Sequence, residues 1–231
     1  MKPCPVCGGD SFKEVDVLWP ELVSAWQLSP SEEVYINRQQ GMHCAGCGNN
    51  LRSMALADLL LSEYSFVGTL AKFVKSPAAK QLRVLEINEA GGLTPTLRDM
   101  AHHTLVKYPE VDIHKLPYPD KSFDMIIHSD TLEHVDLPVA ALRECARVLS
   151  SGGLCLFTVP VVVGRLSRDR AGLEPSFHGD PGESSKGLRV VTEFGADFWI
   201  SVLEAGFGAV KVHSVEYPAG LAVAASRPDK G

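Results

Sequence analysis

The sequence predicts an α/β fold with a largely parallel central sheet, preceded by a small metal-binding module. Short β-favouring runs alternate with helical patterns after residue 80, and the first 50 residues hold four of the six cysteines. Alternating strands and helices are typical of a parallel sheet covered by helices. We therefore expect a cysteine module over residues 1–50, a helical cap or linker over 51–80 and the α/β domain over 81–231.

Composition and charge restrict the class of protein. The chain has 231 residues, of which 45% are apolar and 22% charged, as in ordinary globular proteins. Its longest nearly unbroken apolar run, Gly153–Gly164, has 12 residues and contains a proline, whereas a membrane-spanning helix needs roughly 18 or more. The N-terminus lacks an apolar signal segment, so we expect a cytoplasmic, disulfide-free protein. A net charge of −6 argues against nucleic acid and favours a small-molecule substrate. The oligomeric state is not indicated.

The first helical pattern lies between residues 51 and 75. Leucine, methionine, alanine and phenylalanine recur there at helical spacing, and Asn49 or Asn50 can provide the N-cap. This pattern predicts one or two helices.

Six β-favouring runs follow, and a helix is expected at Leu137–Ser150, ended by Gly152 and Gly153. Only a Tyr217–Pro218 turn separates the last two runs, which predicts an antiparallel finish to the sheet. The predicted strands are 82–87, 103–108, 123–129, 153–159, 209–215 and 219–225.

Two C-x-x-C-G turns, at Cys4 and Cys7 and at Cys44 and Cys47, carry the clearest chemical signal of the N-terminal segment. A two-residue spacer lets both thiolates of a pair face one ion, and two pairs complete a tetrahedral zinc site. The 36 residues between the pairs exceed the roughly 15 to 20 usual in zinc ribbons, so the insertion must carry short elements of its own. We expect a closed, structural zinc site, and read Cys145 and Cys155 as ordinary buried residues.

Three further motifs occur in order along the chain. A strand ending in Glu86 runs into the turn Asn88–Gly92; the stretch Leu116–Asp124 reads LPYPDKSFD; and Leu132–Val135 reads LEHV, followed by RVL-x-x-GG at Arg147–Gly153. On these motifs the chain resembles the class I S-adenosylmethionine-dependent methyltransferases, over about residues 80 to 160.

The resemblance implies a Rossmann-like sheet of seven strands with helices on both faces and the last strand inserted antiparallel. It also implies a bound S-adenosylmethionine. When the family's residue roles are carried over to this chain, Glu86 ends the first strand near the methionine and ribose, and the loop after it surrounds the methionine. Asp112 and Ile113 contact the adenine. Ser129 and Asp130 lie beside the cofactor. The loop residues concerned are Asn88, Glu89, Gly91 and Gly92.

The chain departs from this family at two places. Asn88 and Ala90 stand at the first two glycine positions of the family's E-x-G-x-G-x-G pattern. The second predicted strand ends in Val106, Lys107 and Tyr108, where the family has an acidic residue that accepts both ribose hydroxyls, and a lysine cannot accept a hydrogen bond. Glu86, Glu89 or a water must then take that role, or the cofactor binds weakly.

Two histidines are candidate catalytic residues, because a hydroxyl or amine acceptor must lose a proton. His134 belongs to the LEHV motif, and the alternative is a histidine that packs a turn. His178 stands in a long segment, 164–189, that we interpret as a substrate lid; the alternative is a solvated loop histidine. His102 and His103 are interpreted as capping or surface residues.

Three arginines, Arg165, Arg168 and Arg170, begin the same segment. They form either a solvated charged face or a clamp for an anionic acceptor.

Three functions remain open at this point. The first is a methyltransferase with a structural zinc that acts on a small-molecule acceptor, for example an anionic compound or a secondary metabolite. The second is an rRNA or tRNA base methyltransferase with a zinc module, which the acidic character of residues 1–50 opposes. The third is a non-catalytic protein that binds S-adenosylmethionine.

Overall fold

A computed structural model describes residues 2–177 and 189–228 of the chain. The strands are β1 Phe12–Glu14, β2 Met42–Cys44, β3 Arg83–Ile87, β4 His102–Val106, β5 Phe123–Ser129, β6 Leu149–Thr158, β7 Val161–Val162, β8 Arg168–Asp169, β9 Thr192–Gly195, β10 Ala209–Val215 and β11 Gly220–Ser226. The helices are α1 Pro20–Ala25, α2 Pro30–Gly41, α3 Leu51–Glu63, α4 Leu70–Phe73, α5 Thr94–Leu97, α6 Pro138–Val148 and α7 Trp199–Glu204.

The central sheet has the order β10-β11-β6-β5-β3-β4. Strands β4, β3, β5 and β6 run parallel to one another, and β11 lies antiparallel between β6 and β10. The predicted α/β class, the Rossmann-like parallel core and the antiparallel finish are thereby confirmed.

The central sheet contains six strands in the described part of the chain, one fewer than the seven that the family resemblance implies. The 16-residue connection from β4 to β5, residues 107–122, forms turns and no strand. It contains Pro109, Pro117 and Pro119, which have no backbone N–H to donate to a neighbouring strand. Strand β4 is consequently an edge strand.

Sequence periodicity located most elements to within a few residues. Strands β5 and β10 have the predicted bounds, and α6 begins one residue later than expected. Asn50 is the N-cap of α3, where its side chain accepts a hydrogen bond from the backbone N–H of Ser53. His102 and His103 were wrongly expected to precede the second strand, because they form the first two residues of β4.

Helices cover both faces of the sheet. Val84 packs in one apolar cluster with the leucines of α3, whereas its neighbour Leu85 packs in a second cluster with α6 and α7. This follows from the alternation of side chains along a strand. Cys145 and Cys155 are fully buried in the second cluster, as predicted.

The insertion between the cysteine pairs carries its own elements, as expected. Strands β1 and β2 pair antiparallel, and α1 and α2 lie between them along the chain. Helix α2 begins with a capping box, in which Ser29 and Glu32 exchange side-chain and backbone hydrogen bonds.

A second small sheet, of order β7-β9-β8, follows β6. It is tied to the insertion by Arg165, which makes two bonds of 2.8 Å to the carboxylate of Glu32 and donates to the carbonyl oxygens of Trp26 and Gln27. Trp26 Nε1 also donates to Ser176 Oγ over 2.6 Å. The insertion and this sheet therefore form one cap beside the carboxyl ends of the parallel strands.

None of the described helices has the length and apolar character needed to cross a membrane. The division of the chain at residues 50 and 80 stays a prediction.

The Glu32–Arg165 pair makes stability depend on pH. The hydrogen bonds from Arg165 lower the pKa of Glu32 from its ordinary value to about 2. Because the folded pKa is depressed, the stabilisation is complete above the unfolded pKa, near 4.5, and is lost as the pH falls toward 2. We expect Glu32→Gln to lower the free energy of unfolding at pH 7 by about 1–3 kcal/mol.

Urea unfolding of both proteins from pH 7 to pH 2.5 measures this effect, and the difference between them should shrink in the acid range. Glu33→Gln is the control, since the described chain shows no ion pair for Glu33. Equal stability of the two variants at pH 7 would contradict the prediction.

Candidate functional site

The carboxyl ends of three parallel strands meet at one edge of the sheet. Ile87, the last residue of β3, lies opposite Val106 in β4 and His128 in β5. The residues that follow these strands therefore converge at this edge, which is where open α/β sheets bind their ligands.

A cleft of about 660 Å³ opens at this edge, within the range of small-molecule sites. Glu86 and Ser129 lie buried near it, and Glu89 contacts its wall through Lys107. The cleft brings together five of the predicted site residues, Asn88, Asp112, Ile113, Asp130 and His134.

Glu86 is fully buried and organises the loop that follows β3. Its Oε1 accepts hydrogen bonds from the Ala90 N–H, 2.7 Å away, and from the hydroxyl of Thr94. Its Oε2 lies 2.6 Å from Nε2 of His103. Burial raises the pKa of Glu86, but the hydrogen bonds from His103, Thr94 and Ala90 outweigh it and leave the pKa below its usual value. The carboxylate thus holds the loop in shape from beneath.

His103 is a site residue that the sequence interpretation missed. Its side chain is only 7% exposed, so it is neither a capping nor a surface residue. The register of the two strands is the signal that could have identified His103. When β3 and β4 pair in parallel, His103 lies beside the strand that carries Glu86.

The loop backbone is left-handed at positions that are not glycine. Asn88 has φ 57° and Glu89 has φ 66°, and Asp130, after β5, has φ 47°. Such residues cost about 1–3 kcal/mol and concentrate at functional sites. Asparagine tolerates this conformation better than most residues, which explains how Asn88 can replace the family's glycine.

Lys107 has a partner at the end of β4. Its Nζ lies 2.6 Å from Oε1 of Glu89, and the backbone N–H of Tyr108 donates to Asn88 Oδ1 over 2.8 Å. A carboxylate therefore does stand at this corner of the cleft, although it comes from the loop after β3 and not from β4.

Gly91 and Gly92 allow helix α3 to approach the loop closely. A Cβ atom on Gly92 would lie 2.5 Å from Oδ1 of Asn49, and one on Gly91 would lie 2.9 Å from Oγ of Ser53. Asn49 Nδ2 in turn lies 3.4 Å from Sγ of Cys47. The cysteine module and the loop are thus in contact through one asparagine.

Asp112 and Ile113 form one wall of the cleft. Oδ1 of Asp112 accepts from the backbone N–H of His114 over 2.9 Å and lies 2.8 Å from its Nδ1. These bonds, the backbone bond foremost, lower the pKa of Asp112, so the side chain is a carboxylate at neutral pH.

Asp130 joins the cleft to a buried arginine. Arg52, 1% exposed, donates through Nη1 to Asp130 and through Nη2 to Oε1 of Gln39 over 2.6 Å. Gln39 in turn donates to the carbonyl oxygen of Ala219 over 2.8 Å. The neighbouring Ser129 is buried and shares a 2.7 Å hydrogen bond with Thr158 on β6. The sequence interpretation did not single out Arg52, although a charged residue in an otherwise apolar helical run is a signal for it.

His134 lines the cleft as a neutral imidazole. Burial lowers its pKa, and Nδ1 lies 2.9 Å from the carbonyl oxygen of Arg189, so Nδ1 carries the proton and Nε2 the lone pair. Nε2 lies 3.7 Å from Oε1 of Glu133, a carboxylate whose pKa burial raises to about 7. At neutral pH the Glu133 side chain is therefore partly protonated.

The four N-terminal cysteines form a separate cluster in which all Sγ atoms lie within 4.8 Å of one another. Cys4 and Cys47 are 3.7 Å apart, and Cys7 and Cys44 are 3.6 Å apart. A tetrahedral ion with Zn–S bonds of ~2.3 Å requires sulfur separations of ~3.8 Å. The four thiols therefore fit a zinc ion in size and chemistry.

The arginines that begin the segment after β7 are all paired with carboxylates. Arg165 binds Glu32, whereas Arg168 and Arg170 both bind Glu193. An anion clamp built from these three side chains is therefore not favoured. His178 and the residues up to 188 lie outside the described residues.

Residues 44–157 match the family described as "Methyltransferase domain". This match confirms the resemblance found in the sequence.

The chain also resembles curated proteins over a short stretch. It is 36% identical over 63 residues to a protein named "Probable S-adenosylmethionine-dependent methyltransferase" from Mycolicibacterium smegmatis, and 35% identical over 63 residues to one from Mycobacterium tuberculosis. These matches cover 25% of this chain and 24% and 23% of the two relatives. The chain thus matches about a quarter of the length of these relatives.

Solved structures with a similar arrangement include a "possible histamine N-methyltransferase" from Thermotoga maritima. It is 18% identical, with a TM-score of 0.41, over 74% of this chain and 98% of that chain. The CurJ carbon methyltransferase is 15% identical, with a TM-score of 0.46, over 90% and 70%. At such scores the fold assignment rests on the sheet order described above.

The hydrogen bonds of Glu86 lead to a prediction. Glu86→Gln keeps the shape of the side chain, but its amide nitrogen replaces one acceptor and meets a donor in the loop or on His103. We expect S-adenosylhomocysteine, the demethylated cofactor product, to bind at least about tenfold more weakly, a change of ~1.4 kcal/mol.

Isothermal titration calorimetry measures this affinity. Glu110→Gln, at an exposed position in the β4–β5 connection, is the matched control and should bind like the unaltered protein. Equal affinity of the two variants would show that Glu86 does not shape the binding loop.

Proposed function

Because residues 44–157 match a methyltransferase domain, we propose that the chain is an S-adenosylmethionine-dependent methyltransferase that acts on a small molecule. The observation that carries the proposal is the cleft at the carboxyl ends of β3, β4 and β5. Loop, adenine-side and strand-end residues meet there, as the family pattern requires.

The residues of the cleft fit the cofactor chemically. Asp112 offers a carboxylate oxygen to an adenine amino group beside the apolar Ile113, and Asn88, the loop residue that lines the cleft, offers polar groups to an amino acid moiety. S-adenosylmethionine supplies an electrophilic methyl group when it is bound. The lining of the cleft carries both signs of charge, with Asp112, Asp130 and Asp136 on one side of the balance and Lys107 and Arg189 on the other.

Glu89 is our candidate for the ribose hydroxyls. Both oxygens of Glu86 are engaged inside the protein, whereas the Glu89 side chain is 43% exposed at the corner of the cleft. Lys107 holds it there from the end of β4. The lysine that stands where the family has an acidic residue thus becomes a positioning residue for a carboxylate.

His134 is the candidate base. A neutral imidazole on the cleft wall, with its proton on Nδ1, can take a proton from a hydroxyl or amine acceptor through Nε2. His178 remains a second candidate, and its segment a candidate lid, on the sequence argument alone.

A small-molecule acceptor is favoured over RNA by charge. The first 50 residues contain Lys2, Lys13 and Arg38 as their basic residues, against six acidic ones. Arg38 is already paired with Glu14 and Glu216. An RNA-binding module would instead present unpaired basic side chains to phosphates.

Calorimetric titration with S-adenosylhomocysteine tests the proposal. We expect micromolar affinity, and we expect Asp112→Asn to weaken it at least about tenfold, because an amide can turn a donor toward the adenine amino group. Asp99→Asn, on the exposed turn after α5, is the control. If the unaltered protein does not bind the product, the proposed function fails.

We also propose that the four cysteines hold one structural zinc ion. Four protein ligands complete the coordination shell and leave no position for a catalytic water. The contact from Cys47 through Asn49 to Gly92 means that the ion would brace the cofactor loop as well as the N-terminal module.

We therefore expect one zinc per chain by metal analysis, and loss of zinc in Cys47→Ser. The same variant should bind S-adenosylhomocysteine more weakly, whereas Cys145→Ser, remote from the cluster and on the buried face of α6, should retain its zinc. A folded unaltered protein without zinc would contradict the proposal.

A further inference from the structure

A second cavity, of about 80 Å³, lies between the insertion and the carboxyl end of β6. Its walls come from Leu22, Trp26 and Ile36 on one side and from residues 160–162 on the other. Trp26 and Val162 belong to one buried apolar cluster, against which Leu22 and Ile36 pack. The cavity, which we call the cap pocket, is therefore mostly apolar, and Gln39, Gln40 and Arg52 add polar side chains to its lining.

Arg52 is the only charged residue that lines the cap pocket within the described chain. Its two terminal nitrogens donate to Asp130 and Gln39. Its Nε is buried and finds no acceptor in the described chain. A buried donor of this kind is destabilising unless an acceptor reaches it, and an oxygen of a bound molecule can provide one.

The charges around the cap pocket favour an uncharged ligand. Asp130 already neutralises Arg52 directly, and Arg165 and Arg170 of the surrounding cap are paired with Glu32 and Glu193. On the described lining of the cap pocket neither an anion nor a cation would find an unpaired opposite charge, and either one would lose its hydration there.

The cap pocket and the cofactor cleft share a wall. Asp130 lines the cleft, Arg52 lines the cap pocket, and the two side chains form an ion pair. The Arg52–Asp130 pair thus stands between the two cavities, and a molecule held in the cap pocket lies next to the cofactor cleft.

We infer that the cap pocket binds the apolar end of an uncharged methyl acceptor, with a hydroxyl or carbonyl oxygen that accepts a hydrogen bond from Arg52. The inference rests on the proposed function and names its substrate class. The cavity has about half the ~150 Å³ that encloses a benzene molecule, so it holds part of a small ring or a branched alkyl group while the rest of the acceptor protrudes.

Ligand-observed NMR with three matched probes tests the inference on the full chain saturated with S-adenosylhomocysteine. The probes are 4-methylphenol, which is neutral at pH 7, 4-methylbenzoate, an anion, and 4-methylbenzylamine, a cation. We expect the phenol to bind and the two charged probes to bind at least about tenfold more weakly. An unbound phenol, or a charged probe that binds as well as the phenol, would overturn the inference.

A pair of variants on α2 tests the location. Ile36→Trp fills the cap pocket and should abolish binding of the phenol, whereas Val34→Trp, on the same helix at a position that is 68% exposed, should leave it unchanged. Arg52→Lys keeps the charge but removes Nε and should lower the affinity for the phenol several-fold. Equal binding to the two tryptophan variants would place the probe elsewhere and overturn the inference.

Calorimetry with S-adenosylhomocysteine separates this inference from the proposed function. If the product binds all variants and the phenol binds none, only the cap pocket assignment fails. If the product does not bind the unaltered protein, the proposed function fails. The probe series, repeated without S-adenosylhomocysteine, then still decides whether the cap pocket selects neutral ligands.

Discussion

The buried guanidinium of Arg52 connects most parts of this structure that matter for the site. It stands on α3, donates to Asp130 after β5 and to Gln39 on α2, and Gln39 continues the network to the carbonyl oxygen before β11. Burial lowers the pKa of Arg52 to about 10, so it is still charged at neutral pH and needs these acceptors. The insertion, the sheet and the cleft are consequently fixed relative to one another by one side chain.

The loop after β3 shows a second constraint, which acts through the backbone. Glu86 holds the loop from beneath. At the start of α3, Asn49 lies against Gly92 and Ser53 lies against Gly91. Between these contacts the chain takes left-handed conformations at Asn88 and Glu89. Conformations of this kind persist when the surrounding structure determines them fully, and here the sheet, the helix and the cysteine module all contribute.

Ion pairs, as well as apolar packing, stabilise the cap. Arg165 joins Glu32 in the insertion, and Arg170 is buried between Glu193 and the ring of Trp26, 5.8 Å from its centroid. The three arginines that the sequence alone suggested as an anion clamp are all engaged in such pairs, in which Arg168 and Arg170 share Glu193. A cap built in this way encloses a mostly apolar pocket next to a polar cleft. The two cavities therefore differ in the chemistry of the ligands that they favour.

The sequence by itself determined the class of fold, the approximate places of the six strands of the central sheet, the cysteine pairs and the resemblance to a family, because hydrophobic periodicity and short motifs are local properties. Five residues of the cleft could be named for the same reason. The partner of Glu86, the pairing of Lys107 with Glu89 and the network of Arg52 were decided by tertiary structure, because each joins residues at least 13 positions apart. The missing seventh strand belongs to the same class: the prolines between β4 and β5 are visible in the sequence, but only the assembled sheet shows that β4 is its edge.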